Sequence, residues 1–266
     1  MVPVNVELTI AGRRLRATIP VPPDPVDPTR LLPVLQSLAD TMVDHSVRAA
    51  AERGRPLSCK AGCGACCKQL VPVSRIEARR IAEVVESMPE PRRSIVRRRF
   101  ADAIDTIRSA EMLKRLRDAK ATDIAELSSL GEQYFRLGIP CPFLENDACS
   151  IYADRPLICR QYIVSSDPVH CTDPTAKKVQ RINVPGKLGA AAARWDRQLN
   201  APAVAEDGDD TPWVPLVLAL EWTATHPAVP PTHTGPQQMQ AMMAALTYGG
   251  AQSGRSAPES ATRGSR

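Results

Sequence analysis

The chain has 266 residues, 43% of them hydrophobic, and a formal net charge of +5. That length supplies enough apolar side chains for a core without cross-links, which argues against the disulfide scaffold of a short secreted domain. The start, Met1-Val-Pro-Val-Asn-Val-Glu7, alternates instead of passing from a basic stretch into an apolar one, so no secretory leader is expected. The longest apolar stretch, near Trp213 to Trp222, is broken by Pro215 and Glu221, short of the ~20 apolar residues of a membrane span. The expectation is a cytoplasmic, reducing compartment, where clustered thiols hold metal or do redox chemistry.

Val4 to Ile10 and Leu15 to Val21 alternate apolar and polar residues about Ala11-Gly12 and predict a small N-terminal β-hairpin. The proline-rich stretch from Val21 to Pro28 is a stiff linker, and Asp27-Pro28-Thr29 opens a helix to about Glu52 with Leu31, Leu32, Leu35, Leu38, Met42 and Val43 on one side. Ser74 and Glu77 have the spacing of a capping box, which starts a helix carrying Ile76, Ile81, Val84 and Val85 and ending at Pro89 and Pro91. A single helix is predicted from Pro91 to Ala119 on Val96, Phe100, Ile104, Ile107 and Leu113, and another from Thr122 to Leu137. Ile139 to Thr172 carries prolines at 140, 142, 156 and 168 among regular cysteines, so it reads as irregular structure organised by ligands.

Further helices are predicted at Lys187 to Gln198, Trp213 to Thr225 and Gln237 to Leu246, with Trp195, Trp213 and Trp222 as packing residues. The acidic run Glu206 to Asp210 and the proline-rich stretch from His226 to His233 separate them, and Gly249 to Arg266 has the composition of a disordered tail. The fold class is therefore mostly α: a helical domain with a cysteine-rich, metal-organised irregular core and a small N-terminal β-hairpin. The expected division is 1–28 hairpin and linker, 29–200 cysteine-cluster domain, 201–248 C-terminal helical extension and 249–266 tail.

The positive charge is uneven. Arg75, Arg79, Arg80, Arg92, Arg93, Arg97, Arg98, Arg99, Arg108, Lys114, Arg115 and Arg117 crowd one helical region. Such a stripe could meet an acidic protein partner, but Glu77, Glu83, Glu86, Asp102 and Asp105 interleave with it, which favours a solvated face. Three Phe and four Tyr make no platform for stacking bases, so nucleic acid is disfavoured.

All eight cysteines lie in the middle of the chain, four of them in the nine-residue run Cys59-Lys-Ala-Gly-Cys63-Gly-Ala-Cys66-Cys67, the rest at Cys141, Cys149, Cys159 and Cys171. Gly62 and Gly64 allow the tight turns that a chelate loop needs. Thiolate is a soft ligand suited to zinc, iron-sulfur clusters and copper(I), and four of them close a tetrahedral zinc shell. Eight thiols make two such shells, or one four-thiolate cluster with four left over. Neighbouring side chains diverge along an extended backbone, so Cys66 and Cys67 are expected to serve different sites, or one to be spare. A vicinal disulfide or buried free thiols are the competing readings, disfavoured by the clustering. A dianionic four-thiolate centre needs cations or donors nearby, for which Arg55, Lys60, Lys68, Arg155 and Arg160 are candidates. Tyr152 is read as packing beneath the site, hydrogen-bonding to it or simply filling the core, and His170 as a loop histidine or an alternative ligand.

The run Cys59-x3-Cys63-Gly64-Ala65-Cys66-Cys67, followed by Cys141-Pro-Phe-Leu144, Cys149-Ser-Ile-Tyr152, Arg155-Pro-Leu-Ile-Cys159-Arg160 and a later Cys171, resembles the YkgJ-type CxxCxxCC cysteine-cluster family, described as zinc- or iron-chelating. The resemblance spans roughly residues 55 to 175 and implies metal binding at all eight positions. Three residues stand between Cys59 and Cys63 where the family name implies two. One branch is similar to flagellin lysine methylases, but nothing outside the cysteine region supports that activity here.

Cys59-x3-Cys63-x2-Cys66 also matches the three-cysteine signature of radical S-adenosylmethionine enzymes, although Ala65 stands where those usually carry an aromatic residue and helices flank the motif. No nucleophile and base pair can be assembled from the four histidines, and no phosphate-cradling glycine loop is present. The reading is a metal-binding protein holding zinc or an iron-sulfur cluster. An iron-sulfur enzyme of methyl-transfer or redox type and a zinc-stabilised adaptor are the alternatives.

Overall fold

The computed structural model describes residues 1–10, 13–118, 124–173, 178–199 and 213–247. The turn residues Ala11 and Gly12, the expected helix start at Thr122, the acidic run Glu206 to Asp210 and the tail from Gly249 lie outside them. The fold is mostly α, with nine α-helices and three two-stranded antiparallel pairings among the described residues. In chain order the elements are β1 (Val2–Ile10), β2 (Arg13–Val21), α1 (Leu32–Glu52), β3 (Pro72–Val73), α2 (Arg75–Glu86), α3 (Arg92–Ser109), α4 (Leu113–Asp118) and α5 (Ile124–Arg136). Then follow β4 (Leu144–Glu145), β5 (Ala148–Cys149), α6 (Leu157–Gln161), α7 (Leu188–Leu199), β6 (Val214–Pro215), α8 (Ala219–Thr225) and α9 (Gly235–Thr247).

The N-terminal alternation becomes the β1–β2 hairpin, with Val4 opposite Ile19 and Asn5 opposite Thr18. Val2, Val4, Val6 and Ile19 face the helices, while Thr18 Oγ1 donates to Asn5 Oδ1 at 2.8 Å on the other face. Before α1 a 3-10 turn over Pro28–Arg30 is capped by Asp27, whose carboxylate accepts the Thr29 N–H at 2.8 Å. Leu32, Leu35, Ala39 and Met42 then bury one side of α1 at three- and four-residue steps.

The expected single helix from Pro91 to Ala119 is broken in two. Glu111 takes a left-handed φ of 57°, its N–H bonds Arg108 O at 2.9 Å, and the Met112 N–H reaches back to Ile107 O at 3.1 Å. This is the Schellman closure without glycine, with Met112 buried beneath it. The helix expected from Trp213 is also shorter. Val214–Pro215 instead pairs with Pro72–Val73, the Leu216 N–H donates to Val71 O at 2.8 Å, and a 3-10 turn over Leu216–Leu218 leads into α8. Pro215 has no N–H to give a helix, so the chain remains extended there.

Two apolar clusters result. One gathers α2 to α5 with Phe143, Ile151 and Leu216–Leu218, and Phe100 meets Phe143 edge-on with ring centroids 5.5 Å apart. The other joins α1, α7, α9 and the hairpin around fully buried Trp195 and Leu35. Cys141 and Cys149 pack against the first cluster, and Leu157, at the start of α6, enters the second. The cysteine segments therefore run between the two. No helix among the described residues is long and apolar enough to cross a membrane.

Candidate metal centre

The first cysteine segment is a chain of turns. Cys63 N donates to Lys60 O at 3.1 Å, Cys67 N to Gly64 O at 2.9 Å and Gln69 N to Cys66 O at 3.1 Å. Gly62 has φ 79°, the left-handed region where glycine carries no steric penalty. Gly64 is needed for a different reason. A Cβ there would stand 2.6 Å from Leu144 Cδ1 and 3.1 Å from Asp147 O, so the absence of a side chain lets the loop lie against the β4–β5 hairpin. The turn of that hairpin, Asn146-Asp147, has φ 50° and 58°, the positive pair of a tight two-residue loop.

Backbone bonds tie the remote segments to this loop at two points. Cys141 N donates to Cys67 O at 2.6 Å, and within the hairpin Leu144 pairs with Cys149. At the other end Ser58 N donates to Val164 O at 2.9 Å, laying the start of the loop along the strand-like stretch that leads to Cys171.

Each segment is braced from outside. Arg92 donates to Ser150 O at 3.0 Å, and Arg99 to Pro142 O at 3.1 Å and to Glu145 at 3.2 Å, so two arginines of α3 grip the hairpin. Glu77 is the brace of α6. Expected among the carboxylates of a solvated face, it is buried instead. One of its oxygens accepts Ser74 N at 2.8 Å and Ser74 Oγ at 2.9 Å, and the other accepts Leu157 N at 2.8 Å. The orphan N–H at the start of α6 is thus satisfied from α2, and Cys159 sits one residue beyond Ile158. Arg160 is also a strut. It pairs with Asp40 of α1 at 2.7 Å, donates through Nε to Arg155 O at 2.8 Å and bonds Ala153 O, so it is committed to the scaffold rather than to the thiols.

All eight cysteines are free thiols, seven half-buried and Cys171 buried. Their mutual influence falls into two groups. Cys59 feels Cys63 and Cys66, and Cys171 feels Cys66, Cys59 and Cys63. Cys67 feels Cys66, Cys141 and Cys159, and Cys159 feels Cys141, Cys66 and Cys149. Cys66 is common to both. The turn at 64–67 brings the vicinal thiols together rather than apart, and a hydrogen bond from Cys67 draws the Cys66 thiol down to about 7 while the value of Cys67 rises. Burial pushes Cys59, Cys149 and Cys159 up, Cys141 to about 12 and Cys171 to about 11.

Of the candidate cations, Arg155 has the central place. Its guanidinium acts on Cys59, Cys66, Cys149 and Cys159, favouring their charged form. Its Nε is buried with no hydrogen-bond partner among the described residues. Tyr152, expected beneath the site, is exposed, and its ring lies against Arg155 with the centroid 4.4 Å from Cζ. Arg55 donates to Arg181 O at 3.1 Å, at the start of the strap 181–187 that leads into α7. His170 lies in the middle of the 3-10 turn Pro168–Thr172, beside Cys171, and is half-buried. No three His, Cys, Asp or Glu side chains among the described residues are posed as a ready-made ligand shell. The donor set nevertheless fits a soft metal: eight free thiols on segments tied together by backbone bonds, with a buried and unused Nε donor of Arg155 beside them.

The fold and site define a mostly helical cysteine-cluster protein. Residues 58–181 match the model of the CxxCxxCC family, described as "Putative zinc- or iron-chelating domain". Comparison with curated proteins and with solved structures finds no significant match.

Proposed function

We infer that this is a metal-binding protein whose eight cysteines hold zinc or iron-sulfur in two four-thiolate sets that meet at the vicinal pair. Cys59, Cys63, Cys66 and Cys171 form one set, and Cys67, Cys141, Cys149 and Cys159 the other. The observation that carries this reading is the double anchoring of the loop: Ser58 to Val164 on the Cys171 side, and Cys67 to Cys141 on the hairpin side. Cys171 feels Cys59 and Cys63, Cys159 feels Cys141 and Cys149, and Cys66 acts on members of both sets, in keeping with their meeting at the vicinal pair. Zinc would act there as a structural cross-link, and an iron-sulfur cluster held by four thiolates would supply electron transfer. Arg155 would lower the cost of gathering thiolates in a half-buried space. The thiols are not sealed from solvent, which also suits the redox or group-transfer alternative.

The test is elemental analysis and absorbance of anaerobically purified protein. Zinc in a colourless protein supports the structural form, and broad absorbance near ~400 nm with iron and sulfide supports the cluster. A folded chain free of both metals overturns the reading. The triple variants Cys59→Ser/Cys63→Ser/Cys171→Ser and Cys141→Ser/Cys149→Ser/Cys159→Ser are each expected to lose one half of the metal. Complete loss in both would replace two sets by one shared cluster.

A further inference from the structure

A cavity of about 910 Å³ opens beside the cysteine layer, between α7, α5 and the strap 181–187. Small-molecule sites span about 300–1,000 Å³. Leu70, Val73, Ile158, Ile182 and Trp213 supply apolar walls, and Ala190 and Ala193 leave room where larger side chains of α7 would fill it. The strap is pinned. Gln161 donates to Gly186 O at 2.9 Å and accepts from Leu188 N at 3.0 Å, and Ile182 N bonds Ile163 O at 2.9 Å.

The charge of this lining has one sign. Arg181, Lys187, Arg194 and Arg197 line the cavity, with no Asp or Glu among the described lining residues. Arg194 also holds Ala245 O, at 2.8 Å. Lys187 stands immediately before the first turn of α7, where the helix dipole favours an acid, so a cation there costs stability unless an anion joins it. Arg181 is set in place beforehand. Its guanidinium lies over the Tyr162 ring at 5.0 Å, and the Tyr162 hydroxyl accepts from Gln69 at 3.2 Å. Stacking covers one face and leaves the in-plane N–H groups for a planar carboxylate.

We propose that this cavity binds an aliphatic carboxylate, its chain on the apolar walls and its head group at Arg181, Lys187 and Arg197. The site uses no cysteine, so it stands apart from the metal-binding reading.

The test is a titration of the full-length protein, its metal content measured first, with sodium dodecanoate below its micellar concentration, followed by tryptophan fluorescence and calorimetry. Dodecanol and inorganic phosphate serve as controls. Dodecanoate is expected to bind saturably, about tenfold or more tighter than dodecanol, and phosphate not to bind. Ala190→Trp, at an exposed lining position, should abolish binding, and Arg181→Gln/Lys187→Gln/Arg197→Gln should reduce dodecanoate to the level of dodecanol, both with metal content unchanged. No saturable binding, equal affinity for acid and alcohol, or wild-type binding by Ala190→Trp would overturn the proposal. Binding seen only after Glu206, Asp207, Asp209 and Asp210 are changed to their amides would overturn it for the native chain, since its own acidic run would then be the occupant.

Discussion

Glu77 and Arg155 are charged residues used in opposite ways. Glu77 is a buried carboxylate satisfied by three donors, and its removal strands Leu157 N in a place water does not reach. Glu77→Ala is therefore expected to lower stability in urea by about 1–3 kcal/mol, and Glu77→Gln by less, because the amide keeps one acceptor. Half of this role was legible, since Ser74 and Glu77 announce a capping box by spacing alone. The other half was not, because Leu157 lies 80 residues further on and only the tertiary placement of α6 against α1 and α7 brings it near. Arg155 is legible as a cation near cysteines, as are Arg55, Arg160, Lys60 and Lys68. What separates Arg155 is that Arg160 is spent on Asp40 and Arg55 on the strap. Arg155→Met should weaken metal binding by about 10- to 100-fold in competition with a chromophoric chelator, while leaving the stability of the metal-free protein nearly unchanged.

At the scale of elements, the basic stripe of α3 works inward. Several of its cations are paired on the surface, as Arg93 with Glu90 and Arg97 with Glu86, which is the solvated face expected from the charge pattern. Arg92 and Arg99, however, hold backbone carbonyls of the cysteine hairpin. Arg92→Ala/Arg99→Ala is expected to speed amide exchange at Leu144 and Ser150 and to reduce metal content by up to half, with helical circular dichroism preserved. Unchanged exchange at those amides would sink this role. Gly64→Ala should have a related effect by pushing the loop away from Leu144, and Leu144→Ala is expected to rescue it in part by removing the atom in the way. The boundary between α3 and α4 was hidden, because the apolar spacing runs on through Leu113 and a non-glycine residue makes the left-handed turn.

At the scale of the molecule, the cluster of α1, α7 and α9 contains no cysteine, whereas the α2 to α5 cluster borders Cys141 and Cys149. Metal removal by a chelator is accordingly expected to loosen the cysteine layer, read as faster proteolysis within residues 58–73 and 140–172, while most far-ultraviolet helical signal remains. The pH dependence has opposite signs for the two forms. In the metal-free protein, burial raises Cys141 to about 12 and Cys171 to about 11 from 9.0, so the stability they contribute is full below pH 9 and is lost as pH rises toward those values. Metal binding requires thiolates, so affinity rises with pH and binding releases protons, least from Cys66 at about 7. A weakly buffered indicator titration measures that release, and no proton release at pH 7 would contradict thiolate coordination. The sequence by itself determined the helical class, the hairpin, the capping box and which residues carry soft-metal chemistry, because periodicity, turn residues and thiol clustering are local properties. Only the tertiary structure decided how the two cysteine segments meet, which arginine faces the thiols and where the apolar, cation-rimmed cavity opens. Those depend on contacts between residues far apart in the chain, which no local pattern encodes.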